Sequence, residues 1–142
     1  MTLTLSEDQY KRLLTLTVLG EWMINAIRKE PDIDYEMTAS TVYAGAKESS
    51  LESLIRFDSN NSSWTPSELL EDNAHALIDQ YDEVVFWEEL TNRLVERDLI
   101  RKYGERAVQS MRQGQKERES FAIAKVYTRE FEDQGLERLQ LK

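Results

Sequence analysis

The chain has 142 residues, 40% apolar and 32% charged, with five glycines, two prolines and a net charge of −9. That balance excludes a disordered chain and bounds the protein to a single helix-rich domain, and the surplus of acid argues against general affinity for DNA or RNA. No cysteine is present, which excludes disulfides, thiolate zinc sites and cysteine nucleophiles and makes the cytoplasm the expected setting.

The N-terminal MTLTLSEDQYKRLL has no basic segment followed by an apolar run, so no signal peptide is read there. Ser6 and Gln9 have the spacing of a capping box, and Leu5 with Tyr10 that of a hydrophobic staple, which start a first helix at Ser6. From Leu13 to Ile27 apolar residues fall nearly all round that helix until Lys29-Glu30-Pro31 stops it. Such a helix is expected at the centre of the fold or at a subunit interface. The stretch includes Glu21 and Asn25 and is too short to span a membrane.

A second helix is expected over Tyr35 to Glu48 and a short third over Ser50 to Phe57. The loop formers DSNNSS, Asp58 to Ser63, read as a mobile connection. In WTPSELL, Thr65 is the expected N-cap, Pro66 the first helical residue, Glu68 the third, and Trp64 the staple to Leu69. The apolar stripe of this helix is Leu70, Ala74, Leu77, Ile78 and Tyr81.

YDEVVFWEEL, Tyr81 to Leu90, then reads as a junction, with Asp82 capping a further helix that runs from Glu83 to Tyr103 and stops at Gly104. Its expected inward residues are Val84, Phe86, Trp87, Leu90, Leu94 and Val95. Arg97 and Asp98 fall on that same apolar face, and a kink with Asp98 as cap is expected there. One or two turns follow from Glu105 to Met111, then a break at Gln113-Gly114-Gln115. A last helix from Lys116 to Gln134 turns Phe121, Ala124, Tyr127 and Phe131 inward. Gly135 closes it, Leu136 folds back on Phe131, and the tail LERLQL lies extended. With no strand pair or repeat to be read, the expected class is an all-α bundle of five or six helices.

Charge is unevenly placed. Residues 1–92 carry a net −12, residues 93–129 a net +5, and no Lys or Arg stands between Arg56 and Arg93, where nine acids occur. On a helix continuing from Pro66 through Asp82, the side chains of Glu68, Glu71, His75, Asp79 and Asp82 fall within roughly 80° of one another. Carboxylates with one imidazole could serve Mg²⁺ or Mn²⁺ if a second helix adds ligands, with Glu88, Glu89, Glu48 and Glu52 as candidates. Ferritin-like di-iron sites need a Glu-x-x-His pair from two helices, which one histidine cannot supply. All-α nucleotide pyrophosphohydrolases use paired carboxylates, for which Glu68 with Glu71 and Asp79 with Asp82 are a partial counterpart. A metal-dependent hydrolase of phosphate compounds is therefore one expectation. The other is a solvated acidic face packed beside Arg93, Arg97, Arg101, Arg106 or Arg112.

Arg101, Lys102, Arg106 and Arg112 form a basic segment suited to phosphate or an acidic partner. No phosphate-cradling glycine loop or nucleophile triad is present. Trp22, Trp64 and Trp87 stand at core or staple positions.

The segments FWEELTNRLVERD (Phe86 to Asp98) and YTREFEDQGLERL (Tyr127 to Leu139) resemble small bacterial proteins of uncharacterised families. In those, FW-x-EL-x-x-RL-x-x-RD precedes a closing EFE-x-x-GL. The resemblance implies a bacterial cytoplasmic protein and carries over no catalytic residue. Together these features predict a non-enzymatic, homo-oligomeric helical protein that works through protein contacts, with no cofactor.

Overall fold

A computed structural model describes residues 3–47 and 49–139. Among them are five α-helices and one two-stranded hairpin, so the mostly helical class is the one observed. No helix among the described residues is long and apolar enough to cross a membrane. Contacts group the chain into two compact units, one through Gln80 and one from Tyr81.

In the first unit α1 (Glu7–Asn25) begins at the expected capping box. The Gln9 amide donates to Ser6 Oγ at 3.3 Å, and the Ser6 amide donates to Gln9 Oε1 at 2.9 Å. Of its many apolar residues only Leu14 and Val18 are buried. The helix α2 (Ile33–Ala44) buries Ala39 and Tyr43. At Gly45 a side chain would collide with the Tyr10 hydroxyl, which donates to the Val42 carbonyl. Glycine at that position therefore lets α1 approach the end of α2 closely.

The third helix expected over Ser50 to Phe57 is not there. A single 3₁₀ turn, Glu52–Leu54, leads into β1 (Ile55–Asp58), which pairs antiparallel with β2 (Ser63–Pro66) in the register Ile55↔Pro66, Phe57↔Trp64, Asp58↔Ser63. Ile55 and Phe57 favour extended backbone, and the cross-strand pair Phe57–Trp64 packs its rings 5.2 Å apart. The DSNNSS run makes the reversal. Asp58 accepts from the Asn60 amide and from Asn61 Nδ2, both at 2.9 Å, and Ser62 takes a φ of +51°.

Pro66 consequently ends a strand instead of opening a helix. The next helix, α3 (Glu68–Tyr103), begins one residue after Ser67, whose Oγ accepts from the Leu70 amide at 3.5 Å. Trp64 is committed to Phe57, and Leu69, its expected staple partner, is 59% exposed. Leu70 and Ala74 join Leu14, Val18, Tyr43 and Leu54 in the first core.

The break expected at Tyr81-Asp82 and the kink expected at Asp98 are both absent, because α3 runs unbroken for 36 residues. Neither Gly nor Pro occurs from Ser67 to Tyr103, so nothing in the backbone ends the helix before Gly104, at φ +80°. Good cap residues at Asp82 and Asp98 tolerate helix interior when no breaker accompanies them.

In the second unit, α4 (Glu105–Ser110) is followed at once by α5 (Gln113–Gln134). The break thus lies at Met111-Arg112, and Gly114 sits inside the first turn of α5. Leu99 and Val108 are buried with Val95, backed by Tyr103, Ile123, Ala124 and Tyr127. Phe121, Val84 and Phe86, expected inside, are 72%, 56% and 46% exposed. Gly135, at φ +54°, ends α5 as expected, its amide donating to the Phe131 carbonyl at 3.0 Å. Leu136 is 46% exposed, and the tail forms a turn as far as Arg138. Its last residues, from 140 on, lie outside the described residues, as does Glu48.

The neighbours Leu69 and Leu70 separate the two readings of the α3 start. Leu70→Ala should cost about 2–5 kcal/mol of stability, since Leu70 is 2% exposed. Leu69→Ala should stay within about 0.5 kcal/mol. Urea denaturation of both variants followed by circular dichroism checks this, and a comparable loss at Leu69 would restore the staple.

Candidate functional site

The unbroken α3 does place Glu68, Glu71, His75, Asp79 and Asp82 on one helix face. It spreads them along the axis as well. At about 1.5 Å per residue, the 14 steps from Glu68 to Asp82 cover roughly 21 Å, far beyond one ion's coordination shell. Glu88 and Glu89 belong to the same helix, and Glu52 lies in the 3₁₀ turn, so among the described residues no second helix supplies the missing ligands. Among the described residues no three His, Asp or Glu side chains gather into a group that could hold a metal ion. The donor set does not fit Mg²⁺ or Mn²⁺. Glu71 instead meets Arg56 at 3.8 Å, and His75, Asp79 and Asp82 are exposed.

The arginines from Arg93 to Arg101 pair with acids of their own unit. Arg93 pairs with Glu89 at 2.7 Å, Arg97 with its neighbour Asp98 at 2.9 Å, and Arg101 with Asp98 at 3.6 Å. Within the basic segment Lys102 binds Glu119 at 3.0 Å and lies 4.9 Å from the Tyr103 ring centroid. That leaves Arg106 and Arg112 without an ion pair among the described residues.

Asp98 is the hub of the second unit. Its Oδ1 accepts from Arg97 Nε, and its Oδ2 accepts from the Tyr127 hydroxyl at 2.5 Å, which ties α3 to α5. Arg97 Nη2 also donates to the Tyr127 oxygen at 2.8 Å. Hydrogen bonds from Arg97 and then Tyr127 hold the Asp98 carboxyl below the usual aspartate range. The network therefore stabilises above the unfolded aspartate pKa and is lost as pH falls through the depressed value. A groove of about 580 Å³ lies nearby, floored by Trp87 and Phe131, whose rings are 5.2 Å apart, and rimmed by Glu88 and Glu132.

The first unit contains a site that sequence reasoning missed. A cleft of about 650 Å³ opens between α1, α2 and the β2 end of the hairpin. Glu21 reaches into it from α1. The Tyr43 hydroxyl, on a side chain only 1% exposed, donates to Glu21 Oε2 at 2.5 Å and fixes the carboxylate. Burial is the main cause raising the Glu21 pKa above the ordinary glutamate value, opposed by the Tyr43 hydrogen bond, with repulsion from Glu36 adding to the rise. Burial also pushes the Tyr43 phenol strongly upward, so it remains a donor. Ser40 Oγ accepts the Trp64 amide at 2.8 Å, anchoring β2 to α2. In the sequence Glu21 stood only as an interruption of an apolar run; that interruption was the available signal, and its partner lies 22 residues away.

Compared with protein-family models, curated proteins and solved structures, the chain matches none.

A carboxyl whose pKa is raised by folding contributes stability that is complete below the unfolded value and is lost as pH rises through the folded value. Glu21→Gln keeps an acceptor for Tyr43 and removes the charge. The variant should equal or exceed the parent in melting temperature at pH 7, and the parent should gain on it as pH falls toward 4.5, the ordinary glutamate value. Thermal melts of both proteins across that range test this; a variant less stable at pH 7 than at pH 4.5 relative to the parent would reverse the sign.

Proposed function

We propose that this protein acts through protein–protein contacts, without catalysis, in the bacterial cytoplasm, and that its first partner is a second copy of itself. The observation carrying this reading is a row of uncovered apolar side chains on α1. Leu16 and Met23 are 64% and 58% exposed, and Gly20 between them has nothing within 4 Å of where a Cβ would stand. On the helix these three positions fall within roughly 60° of one another. Ile27, 94% exposed, follows four residues later.

The row has the i, i+4, i+7 spacing with which one helix packs on another, and the bare glycine backbone permits close approach. An antiparallel pair centred near Gly20 and Met23 sets Leu16 of one copy against Ile27 of the other. Arg12 near one end of the row and Glu30 in the chain beyond the other are both exposed, so opposite charges flank the contact. Each large apolar side chain removed from water contributes about 1.5–3 kcal/mol. Arg106 and Arg112 offer a separate cationic surface that would steer an acidic protein partner toward the second unit.

At micromolar concentration, size-exclusion chromatography with light scattering should give about twice the 16.6 kDa chain mass. The double variant Leu16→Glu, Met23→Glu should run as a monomer with an unchanged circular dichroism spectrum. A parent protein that stays monomeric overturns the reading, as does a double variant that remains dimeric.

A further inference from the structure

We propose that the cleft of the first unit binds a small organic cation, a primary amine or guanidinium carried on a short apolar body. At about 650 Å³ the cleft is within the size range of small-molecule sites. Its walls divide the chemistry. Glu21 and Glu36 supply two carboxylates, Ser40 a hydroxyl whose hydrogen no partner takes up among the described residues, and Ile33 and Met37 an apolar side. No Lys, Arg or His lines it.

The central observation is the incomplete state of Glu21. One oxygen is pinned by Tyr43, while among the described residues no other donor reaches the carboxylate and no cation lies within 4 Å. A half-buried carboxylate beside a second acid is costly unless a positive charge neutralises it. Lys47 does not do so: its Nζ lies 5.8 Å from the Trp64 ring centroid and the residue is not part of the cleft lining.

Two carboxylates with no cationic side chain in the lining favour a positively charged ligand, and the donor set says which kind. A metal ion would want three or more hard donors converging on one point, and among the described residues no three carboxylate or imidazole side chains do so. An ammonium or guanidinium group needs less. It can donate to the free Glu21 oxygen, to Glu36 and to Ser40 Oγ, with charge-assisted bonds to the carboxylates. Its hydrocarbon part would then cover Ile33 and Met37, which are 67% and 66% exposed. On α1, Glu21 is about 140° from the line of Leu16, so this site and the self-association face are on different sides of the helix.

Phenethylamine and agmatine are the probes, with 2-phenylethanol as the uncharged counterpart, titrated calorimetrically into the full chain. At least one amine should give saturable one-to-one binding, and 2-phenylethanol none. Glu21→Gln should weaken amine binding by at least about tenfold while its circular dichroism is retained. In ¹H–¹⁵N spectra the shifts should centre on Ser40, Tyr43 and Trp64. No saturable binding of either amine, equal binding of the alcohol, or equal affinity in Glu21→Gln would each overturn the proposal. Because dimerisation is read separately by light scattering, the failure of one inference leaves the other standing.

Discussion

The backbone between Pro66 and Gly104 is the constraint on which most of this structure depends. Thirty-six residues without a glycine or proline form one helix, and that helix supplies buried residues to both cores: Leu70 and Ala74 to the first, Val95 and Leu99 to the second. Pairs four residues apart, such as Glu89–Arg93, reinforce it locally, and Trp87 adds a 2.6 Å hydrogen bond to Glu83 on the preceding turn. The same continuity dictates what becomes of the acids. Side chains strung along one long helix share a face without converging on a point, and a shared face in water is a charged surface, not a coordination sphere.

Within the first unit a single polar pair sets the chemistry. Tyr43 is among the most buried large side chains in the protein, and its hydroxyl is satisfied by Glu21 from the neighbouring helix. No buried side-chain polar atom among the described residues lacks a partner. Burial of the phenol is thus compensated, whereas the half-buried carboxylate receives one hydrogen bond from the described residues and no cation within 4 Å. The second unit solves a similar problem differently. Asp98 receives Tyr127 and two arginines, so charge is balanced where it is placed. The contrast is between an aspartate neutralised within its own unit and a glutamate that is not.

The apolar side chains follow the same division between covered and uncovered. α1 carries too many for its neighbours to bury: Leu14 and Val18 are enclosed while Leu16 and Met23 face outward, as does Ile27 just past its end. The all-round apolarity legible in the sequence is therefore real and is not absorbed by the unit's own core. On α5 the ring of Tyr127 is drawn in by its hydroxyl partner, while Phe121, six residues earlier, has none and is left outside.

Some features were decided locally and could be read from the chain alone. The capping box at Ser6, the stop at Gly104, the closing Gly135 and the helical class all rest on interactions within a few residues, where residue type and spacing are sufficient. Others were decided by distant partners. Ile55 and Phe57 became a strand because Trp64 and Pro66 came back to pair with them, which moved the helix start from Pro66 to Glu68. Asp82 and Asp98, each able to cap a helix, became interior residues because no breaker stood beside them and, for Asp98, because Tyr127 and two arginines gather round it. Glu21 acquired its character from Tyr43, 22 residues on. Spacing along a helix determined which side chains share a face; only the packing of other elements against that face decided which are buried, which are neutralised and which remain open.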